Sequence, residues 1–110
     1  MKELTIEQIV PLLTSPVWYK RIVGEYYELI IRRELLNIRI QTLNSKTYKM
    51  HPDTERAMQT EIDMLNRQFS IMSLYEDVLY RRIVRYGIPF VDILSEVWDA
   101  ANVLDGGEEP

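Results

Sequence analysis

The stretch YKRIVGEYYELIIRRELLNIRIQTL, residues 19–43, places Tyr19, Ile22, Tyr26, Leu29, Arg33, Leu36, Ile40 and Leu43 at alternating spacings of three and four. A second stretch does the same with Met58, Ile62, Leu65, Phe69, Met72, Glu76, Leu79, Ile83 and Tyr86. Spacing of this kind turns one face of a helix toward a partner along its whole length. The two segments are therefore expected to zip together as a long antiparallel, coiled-coil-like hairpin. If residues whose numbers sum to about 102 meet across such a seam, Tyr26 faces Glu76 and Arg33 lies near Phe69. Both polar intrusions then have partners, and their role is to fix the register.

The flanks read as short helices. Thr5 and Gln8 have capping-box spacing, so a helix starts at Ile6, with Pro11 limiting it. Ser15-Pro16 is a fresh start, serine as cap and proline in the first helical position, and the first long helix runs from about Pro16 to Leu43. Gly24 is its one weak interior residue, costing on the order of 1 kcal/mol against alanine. Asn44 to Pro52 is polar and forms the hairpin loop. Asp53 caps the second long helix, with Glu55 in its first turn, and that helix lasts to Tyr86. Gly87 can close it in the left-handed conformation, Ile88 folds back, and Pro89 forbids continuation. Pro89 to Leu104 forms a final helix with Phe90, Leu94, Val97, Ala101 and Leu104 on one face and Trp98 beside them. The expected organisation is one all-α domain over residues 1–104, with 105–110 a flexible acidic tail.

At 110 residues, 46% apolar and 27% charged, the chain has ordinary globular composition. No run reaches the ~20 apolar residues that a membrane span needs. The N-terminus lacks the apolar block of a signal peptide, so a cytoplasm is the expected location. Cysteine is absent, which excludes disulfides, thiolate nucleophiles and cysteine-bound metals. The single histidine, His51, falls in the loop, where solvation or capping is the ordinary use. A net charge of −4 argues against broad nucleic-acid binding. No glycine-rich phosphate loop, metal-ligand spacing or nucleophile–base arrangement appears, so neither a cofactor nor an enzymatic activity is expected. Glu76 could be read as a catalytic carboxylate, but no second acid or histidine is placed to work with it.

Two features remain. The long helices carry more apolar residues than one seam uses: Tyr27, Ile31, Leu35 and Ile38 on the first, Met64, Ile71, Tyr75 and Val78 on the second. The terminal helices are too short to cover all of them. A homo-oligomer is the expected remedy, a monomeric four-helix-like packing the alternative. The hairpin also brings Lys20 and Arg21 alongside Arg81, Arg82 and Arg85 at the end remote from the loop, where Trp18, Tyr19, Tyr80 and Tyr86 lie. Cations beside aromatic faces suit an anionic ligand with a planar base, the charges taking phosphate and the rings stacking. The plain alternative is that the acidic segment after Gly87, with Asp92, Glu96, Asp99, Asp105, Glu108 and Glu109, neutralises that end.

The run Trp-Tyr-Lys-Arg-Ile-Val-Gly-Glu-Tyr-Tyr-Glu-Leu from Trp18 to Leu29, with Leu65, Gln68, Met72, Tyr75, Val78, Leu79, Arg82 and Ile83, resembles a family of short phage-encoded helical proteins. An uncharacterised protein of crAss-like phages typifies it. The similarity covers both long helices and leaves out the terminal ones. It implies a viral origin and an accessory gene, and small helical, oligomeric phage proteins of this size include sponges that sequester nucleotide signals of bacterial immunity. The expected function is thus a non-enzymatic anti-defence protein of the host cytoplasm, a homo-oligomer holding a small nucleotide at the basic-aromatic end. The alternative is an inhibitor or adaptor that docks a helical face on a host defence protein, with a structural virion or packaging component as a third option.

Overall fold

The computed structural model describes residues 3–46 and 50–104. The expected tail over 105–110 lies outside the described residues. Four helices follow one another, α1 (Ile6–Leu13), α2 (Trp18–Asn44), α3 (Pro52–Arg85) and α4 (Phe90–Leu104), with no strand among the described residues. The fold is all-α and is built on a long hairpin.

Local chemistry sets the helix ends. At α1 both bonds of the capping box form: the Gln8 amide N–H donates to Thr5 Oγ1 at 3.2 Å, and the Thr5 N–H donates to Gln8 Oε1 at 2.9 Å. The helix runs two residues past Pro11, because Ile9 and Leu12 are buried and this offsets the backbone bond that proline forfeits. α2 begins later than Ser15-Pro16 suggests. Val17 occupies the cap position without a side-chain cap, and Ser15 Oγ accepts from the Val17 N–H at 3.1 Å instead. The cap of α3 is His51, not Asp53: the ring Nδ1 accepts from the Asp53 N–H at 3.2 Å, Pro52 takes the first helical position, and Asp53 pairs with Arg56 at 3.3 Å. At the other end Gly87 has φ 62°, with Ile88 N–H on Ile83 C=O at 3.0 Å and Gly87 N–H on Val84 C=O at 3.1 Å. These two bonds are the paired closure of a left-handed helix stop.

α2 and α3 run side by side, and α1 and α4 pack on α2 and on each other. The core divides in two. At the open end Ile9, Ile22, Val23, Leu79, Ile83 and Leu94 come together from all four helices. Toward the loop Leu36, Ile40 and Ile62 are buried, with Leu43, Met58, Leu65, Phe69 and Met72 around them. The seam between these cores is polar. Arg33 Nε donates to Glu76 Oε2 at 2.5 Å, and the Arg33 guanidinium lies 5.7 Å from the Phe69 ring centre. The contact with Phe69 is as expected, whereas Glu76 is held by Arg33 rather than by Tyr26. The longer guanidinium reaches the carboxylate with a charge-assisted bond that outcompetes a neutral phenol. Because α1 and α4 sit at one end, the molecule is elongated, with a radius of gyration of 18.1 Å against the roughly 13 Å of a compact domain of this length.

Gly24 has a reason that its helix propensity conceals. It is buried where α1 crosses α2, and a Cβ there would lie 2.8 Å from Leu12 Cβ and 3.1 Å from the Leu13 backbone nitrogen. Gly24→Ala is therefore expected to destabilise by about 1–3 kcal/mol through overpacking, in spite of alanine's propensity gain of about 1 kcal/mol. Chemical denaturation checks the sign: a stabilised variant would mean that α1 is free to move away.

Candidate functional site

The open end of the hairpin gathers aromatic rings from both long helices. Trp18, at the start of α2, meets Tyr86, just past α3, edge to face with ring centres 5.5 Å apart, and meets Tyr19 in the same way at 5.8 Å. Tyr86 is the last residue before the Gly87 stop, so the closure of α3 fixes where its ring stands. Trp18 and Tyr86 each keep about half of their surface, 49% and 53%, open to solvent. One layer further in, Tyr26 lies 6.0 Å from Tyr80 and 6.3 Å from Phe90. Burial pushes the Tyr26 phenol above its ordinary pKa, Glu76 and Tyr80 adding to the rise and Arg33 opposing it. The phenol stays neutral throughout the neutral pH range.

The five cations are deployed differently. Arg82 and Arg85 are exposed in the last turn of α3, and among the described residues no carboxylate lies within ion-pair distance of either. Arg81 is engaged with Asp77 on its own helix at 2.9 Å. Arg21 Nη1 donates to the Ser15 carbonyl at 2.7 Å, tying the start of α2 to the connection before it. Lys20 faces another way, lining a crevice of about 300 Å³ between α1 and α4 beside Glu7 and Glu96. Trp18, Tyr19 and Tyr86 are thus together, Arg82 and Arg85 stand near them on the same terminal turn as Tyr86, and Lys20 belongs to a separate recess. None of Asp92, Glu96 and Asp99 pairs with a cation in the described residues, while Asp105, Glu108 and Glu109 lie outside them.

Three further features escape the sequence reading. The Tyr75 hydroxyl donates to the Glu25 carboxylate across the seam. Tyr26, Ser73, Glu76, Asp77 and Tyr80 line a slot of about 370 Å³ whose charged groups are both carboxylates, a poor cradle for phosphate. A recess of about 610 Å³ is an apolar groove between the N-terminal segment and α2, floored by Leu4, Ile31, Leu35 and Ile38 and rimmed by Glu3, Glu7 and Glu34. Its signal was the surplus stripe Tyr27, Ile31, Leu35 and Ile38. What periodicity could not supply is that residues 3–7 form its other wall, with the Leu4 N–H donating to the Tyr27 hydroxyl at 3.0 Å. No group of three or more potential metal ligands and no helix long and apolar enough to cross a membrane occurs among the described residues.

The two helices of the hairpin, up to the residue before Tyr86, fall within a known family. The family model for Sequestin matches residues 16–85, well over half of the chain. The chain belongs to the Sequestin family. Sequestin similarity begins beside Trp18 and ends at Arg85, so it takes in both helices of the hairpin and leaves out α1 and α4. No curated protein and no solved structure matches the chain.

Proposed function

We propose that this protein is a non-enzymatic phage anti-defence factor, a homo-oligomeric sponge that sequesters a small phosphorylated nucleotide signal of host immunity. The observation that carries this reading is the Sequestin match, whose two limits fall on the same aromatic corner. A family name built on sequestration describes holding a ligand rather than transforming it. At that corner Arg82 and Arg85 take the phosphates, free of competing carboxylates among the described residues, and Arg21 adds to the positive field, whereas Lys20 lies in the α1–α4 crevice and Arg81 is offset by Asp77. Trp18 and Tyr86 stack on the base, supported by Tyr19 and Tyr80. The site works in the host cell cytoplasm and needs no cofactor.

Calorimetric titration with a panel of cyclic and linear nucleotides tests this. Saturable heat with at least one member is expected, and silence from every member at high micromolar concentration contradicts it.

A second reading has its own support in the acid-rimmed groove beside Leu35 and Ile38, each 59% exposed. There the protein would grip a basic amphipathic segment of a host defence protein. Competition separates the two readings, since Leu35→Glu abolishes capture of such a partner and leaves nucleotide titration unchanged.

A further inference from the structure

The outer face of α3 carries a second heptad that nothing among the described residues covers. Met64, Arg67, Ile71, Leu74, Val78 and Arg81 alternate at spacings of three and four, and each of Met64, Ile71 and Val78 stands two residues, about 200° of helix rotation, beyond a seam residue. Ile71 is 65% exposed and Leu74 68%, the most open large apolar side chains of the helix. α1 and α4 pack on α2 and on each other, leaving this face bare. A stripe of this length on a helix of 34 residues calls for an occupant.

We infer that the occupant is a second copy of this chain, α3 pairing antiparallel with α3 about a twofold axis that passes midway between Ile71 and Leu74. The argument is self-complementarity. In that register Ile71 of each copy meets Leu74 of the other at the centre. Val78 then meets the aliphatic stem of Arg67 on either side, and Met64 meets the stem of Arg81 at the ends. The charges answer as well: the exposed Arg81–Asp77 pair within each helix exchanges partners, Arg67 reaching Asp77 of the second copy and Arg81 reaching its Asp63. Arg67 has no carboxylate partner among the described residues of its own chain, so its charge is available for this use. The two cations of the stripe, Arg67 and Arg81, are each answered by a carboxylate next to the residue they face, Asp77 beside Val78 and Asp63 beside Met64, and a twofold axis repeats both pairs, as an isologous contact requires. The groove on α2, rimmed only by carboxylates, has no such symmetry with itself. The pairing gives the sponge its oligomeric form but stands without the nucleotide reading. It leaves Trp18, Tyr86, Arg82 and Arg85 just past the last paired residue at each end of the stripe, alongside residues 59–63 of the second copy's α3, and it takes Arg81 out of the ligand set.

Light scattering on the full chain tests the contact. The wild type should show twice the 13.1 kDa chain mass, and the double variant Ile71→Glu, Leu74→Glu should show the single mass with unchanged helical circular dichroism. Because the chain has no cysteine, an equimolar mixture of Ile71→Cys and Leu74→Cys, two positions that the register sets face to face, gives an independent check. It should close to a covalent dimer under mild oxidation, whereas Leu35→Cys should not. A monomeric wild type, a dimer that survives both glutamates, or cross-linking through Leu35→Cys in place of the Ile71→Cys and Leu74→Cys mixture would overturn the inference. Nucleotide titration of the monomeric variant keeps the proposals apart, since each subunit should still bind if only the dimer contact is lost.

Discussion

Alanine at both Arg82 and Arg85 is expected to weaken nucleotide capture by at least about 100-fold, each charge-assisted bond to phosphate contributing about 1.5–3 kcal/mol. The melting temperature should hardly move. The two guanidinium groups are exposed on the last turn of α3 and have no ion-pair partner among the described residues, so their removal leaves no charge stranded. Their charge also interacts favourably with the carbonyl end of α3, a contribution of a few tenths of a kcal/mol at an exposed site, too small to register as a large loss. Titration of the double variant with the tightest-binding nucleotide, beside a thermal melt, reads both quantities. A steep fall in melting temperature with little change in binding would assign the pair to the internal structure of the bundle and remove them from the site.

Ile83→Ala should be the most damaging conservative change in the core, costing about 3 kcal/mol within the usual range of 2–5. Its side chain is 1% exposed and sits where the heptad seam reaches the four-helix end. Its carbonyl accepts the Ile88 N–H that closes α3, and Ile88 packs in the same cluster. Truncation therefore opens a cavity beside the stop that positions Tyr86. For a domain of this size the melting temperature should fall by roughly 12 °C. A loss below 1 kcal/mol would mean that the end of α3 collapses into the space, and that the aromatic corner is softer than its geometry implies.

Periodicity made most of the fold legible, because a seam that repeats every seven residues declares both the helix and the face that is buried. Ile22, Leu36, Ile40, Ile62, Leu79 and Ile83 are all seam residues and all buried. The Gly87 stop and the Thr5 cap were equally readable, since each depends on a few adjacent residues. What escaped was set by contacts between distant segments. Gly24 looks like a defect along the helix and proves to be the crossing point of α1, visible only when Leu12 is placed above it. The partner of Glu76 depended on side-chain reach, which pairing by residue number does not encode. At the site, the meeting of Trp18 with Tyr86 follows from the hairpin, while the diversion of Lys20 into the α1–α4 crevice follows from the packing of the terminal helices.

A Sequestin-family protein that holds a nucleotide without transforming it, as proposed, should give that nucleotide back unchanged. Wild-type protein is mixed with the nucleotide panel, freed of unbound ligand, heat-denatured, and the supernatant identified by mass spectrometry. The expected result is one nucleotide returned chemically intact in an amount comparable with the protein. Return of cleaved or altered product, or of no nucleotide at all, would contradict the account.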